Sequence, residues 1–137
     1  MLHSDGMGIA ETLKARTFLF ATAVYRTCAA ELQSNRARIV ATQLIRASAS
    51  VAANYRAACR ARSRPEFIAK LGVAIEEADE SLFWLDFAEA TQAIHSSVET
   101  QKLRTEANEL VAILTASQKT AKHNAQRASG TIRSART

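Results

Sequence analysis

The sequence predicts an all-α fold, an antiparallel up-down-up-down four-helix bundle. The 137 residues are rich in Ala, Leu, Arg, Glu and Gln and include four Gly and one Pro, a composition that favours helix. Apolar residues recur at spacings of three and four in four segments separated by turn signals. Four amphipathic helices joined by short turns pack most simply as a bundle around one core. We expect this domain at residues 9–124, after a flexible N-terminus (residues 1–8) and before a basic, disordered tail (residues 125–137).

The first two helices are expected at about residues 9–33 and 36–60. Ser34-Asn35 forms the turn between them, with Asn35 as the N-cap of the second helix. Each helix carries one apolar stripe: Leu13, Thr17, Phe20, Val24 and Cys28 on the first, and Val40, Leu44, Ala47, Val51, Tyr55 and Ala58 on the second. Beside the second stripe lies a small polar row that includes Gln43 and Asn54. We interpret these two amides as structural, and we expect Asn54 to be buried and hydrogen-bonded.

The last two helices begin at recognisable caps. Ser63-Arg64-Pro65-Glu66 is a capping box with Pro in the first turn, and it predicts a third helix over residues 64–90. Ser96-Ser97-Val98-Glu99 opens a fourth helix that runs to about His123. Their core stripes are Phe67, Leu71, Ala74, Ala78, Leu82 and Leu85 on the third helix, and Leu103, Ala107, Leu110, Leu114 and Ala121 on the fourth.

The face of the third helix opposite its core stripe is unusually apolar. A surface helix is normally polar on this side, whereas here aromatic rings lie among carboxylates. One interpretation is a subunit interface in a homo-oligomer; the alternative is a central helix buried on two sides of its own bundle. The candidate interface residues are Val73, Glu76, Glu80, Phe83, Trp84 and Phe87.

Charge is sharply sorted between the second and third helices. Seven arginines and no acid lie between Leu32 and Pro65, whereas residues 65–92 hold seven acids and the single base Lys70. The two helices could neutralise each other, with Glu76 and Glu80 as the acids, or the arginines could remain available to phosphate. The candidate nucleic-acid-binding residues are Arg38, Arg46, Arg56, Arg60, Arg62 and Arg64, with the basic tail from Lys119 as an extension or as a solvated segment.

The sequence offers no recognisable motif for catalysis, for a cofactor or for membrane insertion. His3, His95 and His123 have no neighbour at ligand spacing, and Ser48 and Ser50 have no base near them in sequence. We therefore expect neither an enzyme nor a cofactor. The apolar run over residues 18–25 is too short to span a bilayer, so no membrane partner is expected. Cys28 and Cys59 fit buried, reduced thiols, which favours a cytoplasmic location.

A combination of motifs in the second and third helices resembles a known family. The pattern consists of Gln43-Leu44-x-Arg46, Ser50-x-x-x-Asn54, Ser63-x-x-Glu66-Phe67 and Glu77-x-x-Glu80-Ser81. It is similar to small bacterial four-helix-bundle proteins encoded in intervening sequences of 23S ribosomal RNA genes. The close match covers about a third of the chain.

The resemblance implies a four-helix bundle assembled into a ring-like homopentamer. A relative of that family is the accessory protein of diversity-generating retroelements, which works with a reverse transcriptase and RNA. Two functional hypotheses follow. The first is a non-enzymatic, homo-oligomeric assembly protein whose partner is itself. The alternative is an accessory factor that binds RNA or DNA through the second helix and the tail.

Overall fold

The computed structural model describes the backbone of residues 3–136 and the side chains of residues 8–130. Four α-helices make up this part of the chain, and it contains no strand: α1 (His3–Cys28), α2 (Arg38–Cys59), α3 (Arg64–Thr91) and α4 (Val98–Arg136). A 3₁₀ helix (Ala29–Gln33) follows α1 directly. The predicted all-α fold with four helices is therefore confirmed.

The predicted helix ends differ from the structure at both termini. Helical backbone begins at His3, with a kink at Gly8, where φ is 69°. α4 runs to Arg136, thirteen residues beyond the end predicted at His123. The apolar stripe of α4 stops before residue 125, and the helical backbone continues beyond it. The segment expected as a disordered tail is therefore helical as far as Arg136.

A side-chain cap opens α3, whereas Ala37, the N-cap residue of α2, makes no side-chain hydrogen bond. Ser63 accepts a hydrogen bond from the Glu66 backbone N–H at 3.2 Å, as the capping-box motif predicts. At α2 the predicted cap, Asn35, is wrong. The Ser34 hydroxyl instead accepts from the Ala37 N–H at 3.2 Å, and the helix begins at Arg38.

The core consists of two clusters stacked along the bundle. Every predicted core residue of α1 and α2 is buried, because each lies on the stripe that faces the other helices. The first cluster contains Phe20, Val24, Cys28, Val40, Ala41, Leu44, Leu85, Ala88, Ile94, Leu103, Ala107 and Leu110. The second cluster contains Leu13, Val51, Tyr55, Ala58, Leu71, Ala74, Ala78 and Leu114.

α2 and α3 form the most extensive contact between two helices of the bundle, and small residues allow their close approach. Ala47, Ala74 and Ala78 are fully buried, and so are the hydroxyls of Ser48 and Ser81. Those hydroxyls donate to carbonyl oxygens of their own helices, at 3.1 and 2.8 Å, so their burial leaves no unpaired polar atom. The close approach places Arg46 of α2 next to Glu77 and Glu80 of α3.

Candidate interaction surfaces

Three aromatic rings form a cluster on the outer side of α3, which we call the α3 aromatic face (Phe83, Trp84 and Phe87). The Phe83 and Trp84 ring centroids lie 5.0 Å apart, edge to face, and those of Trp84 and Phe87 lie 5.3 Å apart. Trp84 is half-buried against the first core cluster. The two phenylalanines project further, and Phe83 is 54% and Phe87 41% exposed. This face of the chain is therefore open to solvent.

A polar network anchors the aromatic face to α2. The Glu80 carboxylate accepts hydrogen bonds from the Arg46 guanidinium and, at 3.4 Å, from the indole N–H of Trp84. Arg46 also pairs with Glu77, with N–O distances of 3.4 and 3.5 Å. The acids that neutralise Arg46 are therefore Glu77 and Glu80, whereas Glu76, expected in this role, is exposed and has no ion pair in the described part of the chain.

The other predicted arginines point into solvent. Within residues 8–130, Arg46 is the one member of the predicted set whose guanidinium forms an ion pair. The remaining five are exposed, and their guanidinium groups form no ion pair among those residues: Arg38, Arg56, Arg60, Arg62 and Arg64. The acids of α3 thus neutralise little of the positive charge of α2.

The α2–α3 turn and α4 bring basic residues together at one end of the bundle. Arg64 and Phe67 line an open groove of about 740 Å³, and the opposite wall of the groove includes Thr120 and Asn124 of α4. Lys119 and Lys122 are exposed on the same stretch of α4. We call this region the basic end (Arg60, Arg62, Arg64, Lys119 and Lys122).

The predicted structural amides bond within their own helix. Gln43 accepts a hydrogen bond from the Arg46 Nε at 3.2 Å and is half-buried. Asn54 is half-buried rather than buried, and its Nδ2 donates to the carbonyl and hydroxyl oxygens of Ser50, at 2.8 and 2.9 Å. Because Ser50 lies one turn before Asn54, this amide needs no partner on another helix.

Two ion-pair clusters that the sequence analysis did not predict tie α4 to its neighbours. Arg16 of α1 binds Glu106 and Glu109, at 2.7 and 3.2 Å. Arg104 of α4 binds Asp86 and Glu89 of α3, at 2.5 and 2.9 Å. The sequence signal for these ion pairs is the position of their charged residues directly beside the apolar stripes, because such positions lie at the edges of helix contacts.

The two thiols have different surroundings. Cys28 is buried in the first core cluster, whereas Cys59, also expected to be buried, is half-buried. Burial, and secondarily the charge of Glu31, raises the pKa of Cys28 to about 12. Burial also raises the pKa of Tyr55, assisted by the charge of Cys59 and a hydrogen bond to it. These groups are therefore neutral at physiological pH.

No candidate metal site and no membrane-spanning helix occurs in the part of the chain that the structure describes. Its His, Cys, Asp and Glu side chains form no group of three or more that could hold a metal ion. None of its helices combines the length and apolarity that crossing a bilayer requires.

The fold and these surfaces define a small all-helical protein with an open aromatic face and exposed arginines. Residues 12–116 match the family model of the 23S rRNA-intervening sequence proteins, and the chain belongs to this family. It is similar to the solved structure of a Bacteroides thetaiotaomicron protein of unknown function from the S23 ribosomal protein family. The identity is 26%, the TM-score 0.70, and the match covers 80% of this chain and 97% of the other. No curated protein shows significant similarity to the chain.

Proposed function

We propose that this chain is a non-enzymatic protein that assembles with copies of itself through the α3 aromatic face. The observation that carries the proposal is the exposure of Phe83 and Phe87 beside a tryptophan that is held in place by Glu80. Contiguous aromatic surface on a water-facing helix is typical of an interaction site. Because both rings are already about half-buried, covering the rest of each ring contributes about 1 kcal/mol.

The subunit in this proposal is an antiparallel up-down-up-down bundle, and contacts between successive helices support that arrangement. Arg104, near the start of α4, pairs with Glu89, near the end of α3. Gln118, further along α4, donates to the Ile68 carbonyl near the start of α3 at 3.1 Å. Residue numbers therefore rise along one helix as they fall along the other. The ring-like form and the homopentamer implied by the family resemblance stay predictions.

The mass of the assembly in solution tests this proposal. Light scattering on the wild-type protein should give a multiple of 14.9 kDa at micromolar concentration. Phe83→Ser/Phe87→Ser should give a single-chain mass with helical circular dichroism retained. Val98→Ser is the matched control, because it removes an exposed apolar side chain outside this face. A wild-type protein of single-chain mass would overturn the proposal.

A second candidate function, binding of RNA or DNA, is favoured by the basic end. Three of the five solvent-exposed arginines of the predicted set belong to it, and Lys119 and Lys122 are exposed on the stretch of α4 that lines the adjoining groove. Arginine and lysine neutralise phosphates without reading bases, so we expect weak sequence preference and strong salt dependence.

Titration of a labelled single-stranded RNA at several salt concentrations tests this second function. The logarithm of the affinity should fall with the logarithm of salt, by about 0.7 for each phosphate contact. Arg62→Glu/Arg64→Glu should weaken low-salt binding tenfold or more, since about one to two contacts are lost and repulsion is added. Acids are tolerated at the start of α3, so the fold should survive this variant. Lys102→Glu, away from the basic end, is the control. Absence of low-salt binding, or binding indifferent to salt, would exclude this function.

A further inference from the structure

The groove at the basic end combines an apolar lining with an arginine. It lies between the start of α3 and one face of α4, and the start of α1 adds a third side. Its volume of about 740 Å³ falls within the range of about 300–1,000 Å³ that is typical of small-molecule sites. Among the residues that the structure describes, Arg64 is the one charged member of the lining, and the apolar members are Ile9, Phe67, Ile113, Ala116 and Ala121.

The bundle covers the apolar side chains of this lining incompletely. Of the α-helices that touch in the described part of the chain, α1 and α4 form the least extensive contact. Beside the groove, Ile9 is 74% exposed, and Phe67 and Ile113 are half-buried. An occupant with an apolar body would remove this surface from water, which is favourable.

The groove is elongated and has a polar and an apolar end. Its α4 face, from Ile113 to Asn124, is about 16 Å long at 1.5 Å per residue. Gln118, within this stretch, donates to the Ile68 carbonyl at 3.1 Å. Because residue numbers fall along α3 as they rise along α4, Arg64, one turn before Ile68, lies towards the Asn124 end of the face. Ile113 lies at the other end.

Polar side chains of α4 along the groove have no partner within the described part of the chain. The hydroxyls of Ser117 and Thr120 and the amide of Asn124 form no hydrogen bond there. Elsewhere on the same helix, Thr105 and Asn108 donate to the carbonyl one turn earlier, at 3.1 and 3.2 Å. The groove therefore offers free hydrogen-bonding groups to an occupant, and these groups lie towards its polar end.

The charge of the groove favours an anionic occupant. The Arg64 guanidinium forms no ion pair within the described residues, and none of the described residues that line the groove is acidic. Glu66, the nearest acid in sequence, does not line the groove and accepts a hydrogen bond from the Arg62 backbone N–H at 3.2 Å. A guanidinium matches a carboxylate through two parallel hydrogen bonds. One arginine beside an apolar lining therefore suits a single carboxylate on an apolar body.

We infer that this groove binds an amphipathic carboxylate of the fatty-acid class. The carboxylate lies against Arg64, with Thr120 and Asn124 as further donors, and the hydrocarbon chain extends along Phe67 towards Ile113. The apolar lining and the arginine act on different parts of the same ligand, so the affinity depends on both. This site requires neither self-assembly nor binding of nucleic acid.

Calorimetric titration with decanoate, below its micellar concentration, tests the site. The wild type should bind a single decanoate per chain. Arg64→Gln should weaken binding about tenfold or more, because a charge-assisted hydrogen bond to the carboxylate is lost. 1-Decanol, which lacks the charge, should bind more weakly than decanoate and should respond little to Arg64→Gln. Arg38→Gln, at an exposed arginine at the start of α2, is the control.

A larger side chain in the groove provides a second variant. Ala116 lines the groove and is exposed, so Ala116→Phe should fill part of the groove and abolish decanoate binding while the helix remains intact. Ala112→Phe, one turn earlier on α4 and outside the lining, is the matched control and should bind like the wild type. Circular dichroism verifies the helical content of each variant.

Other results would contradict the site. A wild type that does not bind decanoate, or an Ala116→Phe variant that binds as tightly as the wild type, would overturn it. Binding that disappears in Phe83→Ser/Phe87→Ser would place the ligand on the α3 aromatic face instead. Equal decanoate affinities of the wild type and Arg64→Gln would exclude the contact between the carboxylate and Arg64.

Discussion

Arg16 of α1 and Glu106 of α4 form a two-point ion pair, in which Nε and Nη2 donate to the two carboxylate oxygens at 2.7 and 2.8 Å. The hydrogen bond to Glu106 raises the pKa of Arg16. Glu109 adds one longer bond to the same guanidinium, at 3.2 Å. α1 contacts α4 less extensively than it contacts α2, so this pair is an important link between the first and last helices.

Glu106→Gln should destabilise the protein more than Glu109→Gln. The Glu106 and Arg16 side chains are 26% and 33% exposed, so solvent weakens the pair, and we expect a loss of about 1 kcal/mol. Glu109 is more exposed and accepts one bond, so its loss should stay below about 0.5 kcal/mol. Urea unfolding at one fixed protein concentration measures both. Equal losses of unfolding free energy in the two variants would contradict a special role for the two-point geometry.

Gln92→Gly should stabilise the end of α3. Gln92 has φ 60°, a left-handed conformation that costs an L-residue about 1 kcal/mol or more and glycine very little. Its backbone N–H still donates to the Ala88 and Glu89 carbonyls, and glycine keeps that bond. We expect thermal unfolding to shift upward by a few degrees. Lys102→Gly, inside α4, is the control and should lower stability by about 1 kcal/mol; a fall at Gln92 as well would refute the argument.

Gly72→Ala should have an effect that depends on Gln118. A Cβ at Gly72 would lie 3.0 Å from the Gln118 Nε2, which donates to the Ile68 carbonyl. Alanine favours helix by about 0.5–1 kcal/mol over glycine, but here it must push this amide aside. In a Gln118→Ala background the full gain should appear, and in the wild type less of it. A double-mutant cycle measures the difference, and simple additivity would exclude the coupling.

The stability of the fold should decline at alkaline pH, partly through Cys28. Its ordinary pKa of 9.0 is raised to about 12 in the folded protein, because burial disfavours the thiolate. The contribution of Cys28 is therefore fully present below pH 9 and is lost as pH rises from 9 towards 12. Unfolding free energy should fall there by up to about 1.4 kcal/mol per pH unit from this group.

Cys28→Ala provides the comparison. Its stability at neutral pH should be lower, because a buried side chain is shortened. Its decline between pH 9 and 11 should be shallower than that of the wild type, and Tyr55, whose pKa is also raised, accounts for part of the slope that remains. Parallel curves for the two proteins would mean that Cys28 does not carry the alkaline dependence.

Much of the fold follows from the apolar periodicity and the capping motifs, both of which can be recognised in short segments of the sequence. The stripe from Leu13 to Cys28 is buried in full, and Ser63 caps α3 as its motif predicts. These features depend on residues three and four apart, so no tertiary information is needed. The end of α4 differs for the opposite reason: the apolar stripe ends near His123, whereas the helical backbone continues to Arg136 without a stripe to mark it.

The surfaces were harder to predict because they depend on which helix edges meet. Net charge suggested that α3 would neutralise α2, but only Arg46 lies on the edge that faces α3 closely enough to pair. Asn54 was expected to be buried, and the sequence alone did not indicate that Ser50, one turn earlier, would satisfy its amide. The sequence shows on which side of its helix a residue lies, whereas it does not show which neighbouring helix packs against that side.

α4 is longer than the helix it packs against most extensively: it has 39 residues against 28 in α3, a difference of about 16 Å at 1.5 Å per residue. Residues 119–130 are exposed or half-exposed, so backbone hydrogen bonds and propensity hold this arm with little help from burial. Such a segment opens at a lower free energy than the bundle. A polyanion whose binding required the helical spacing of the lysines in this arm would bind the arm when it is helical and not when it is open. Gly130 lies in this arm with open space at its Cβ position. Gly130→Ala would therefore favour the helical arm and so tighten the binding of such a polyanion, although residue 130 need not contact it.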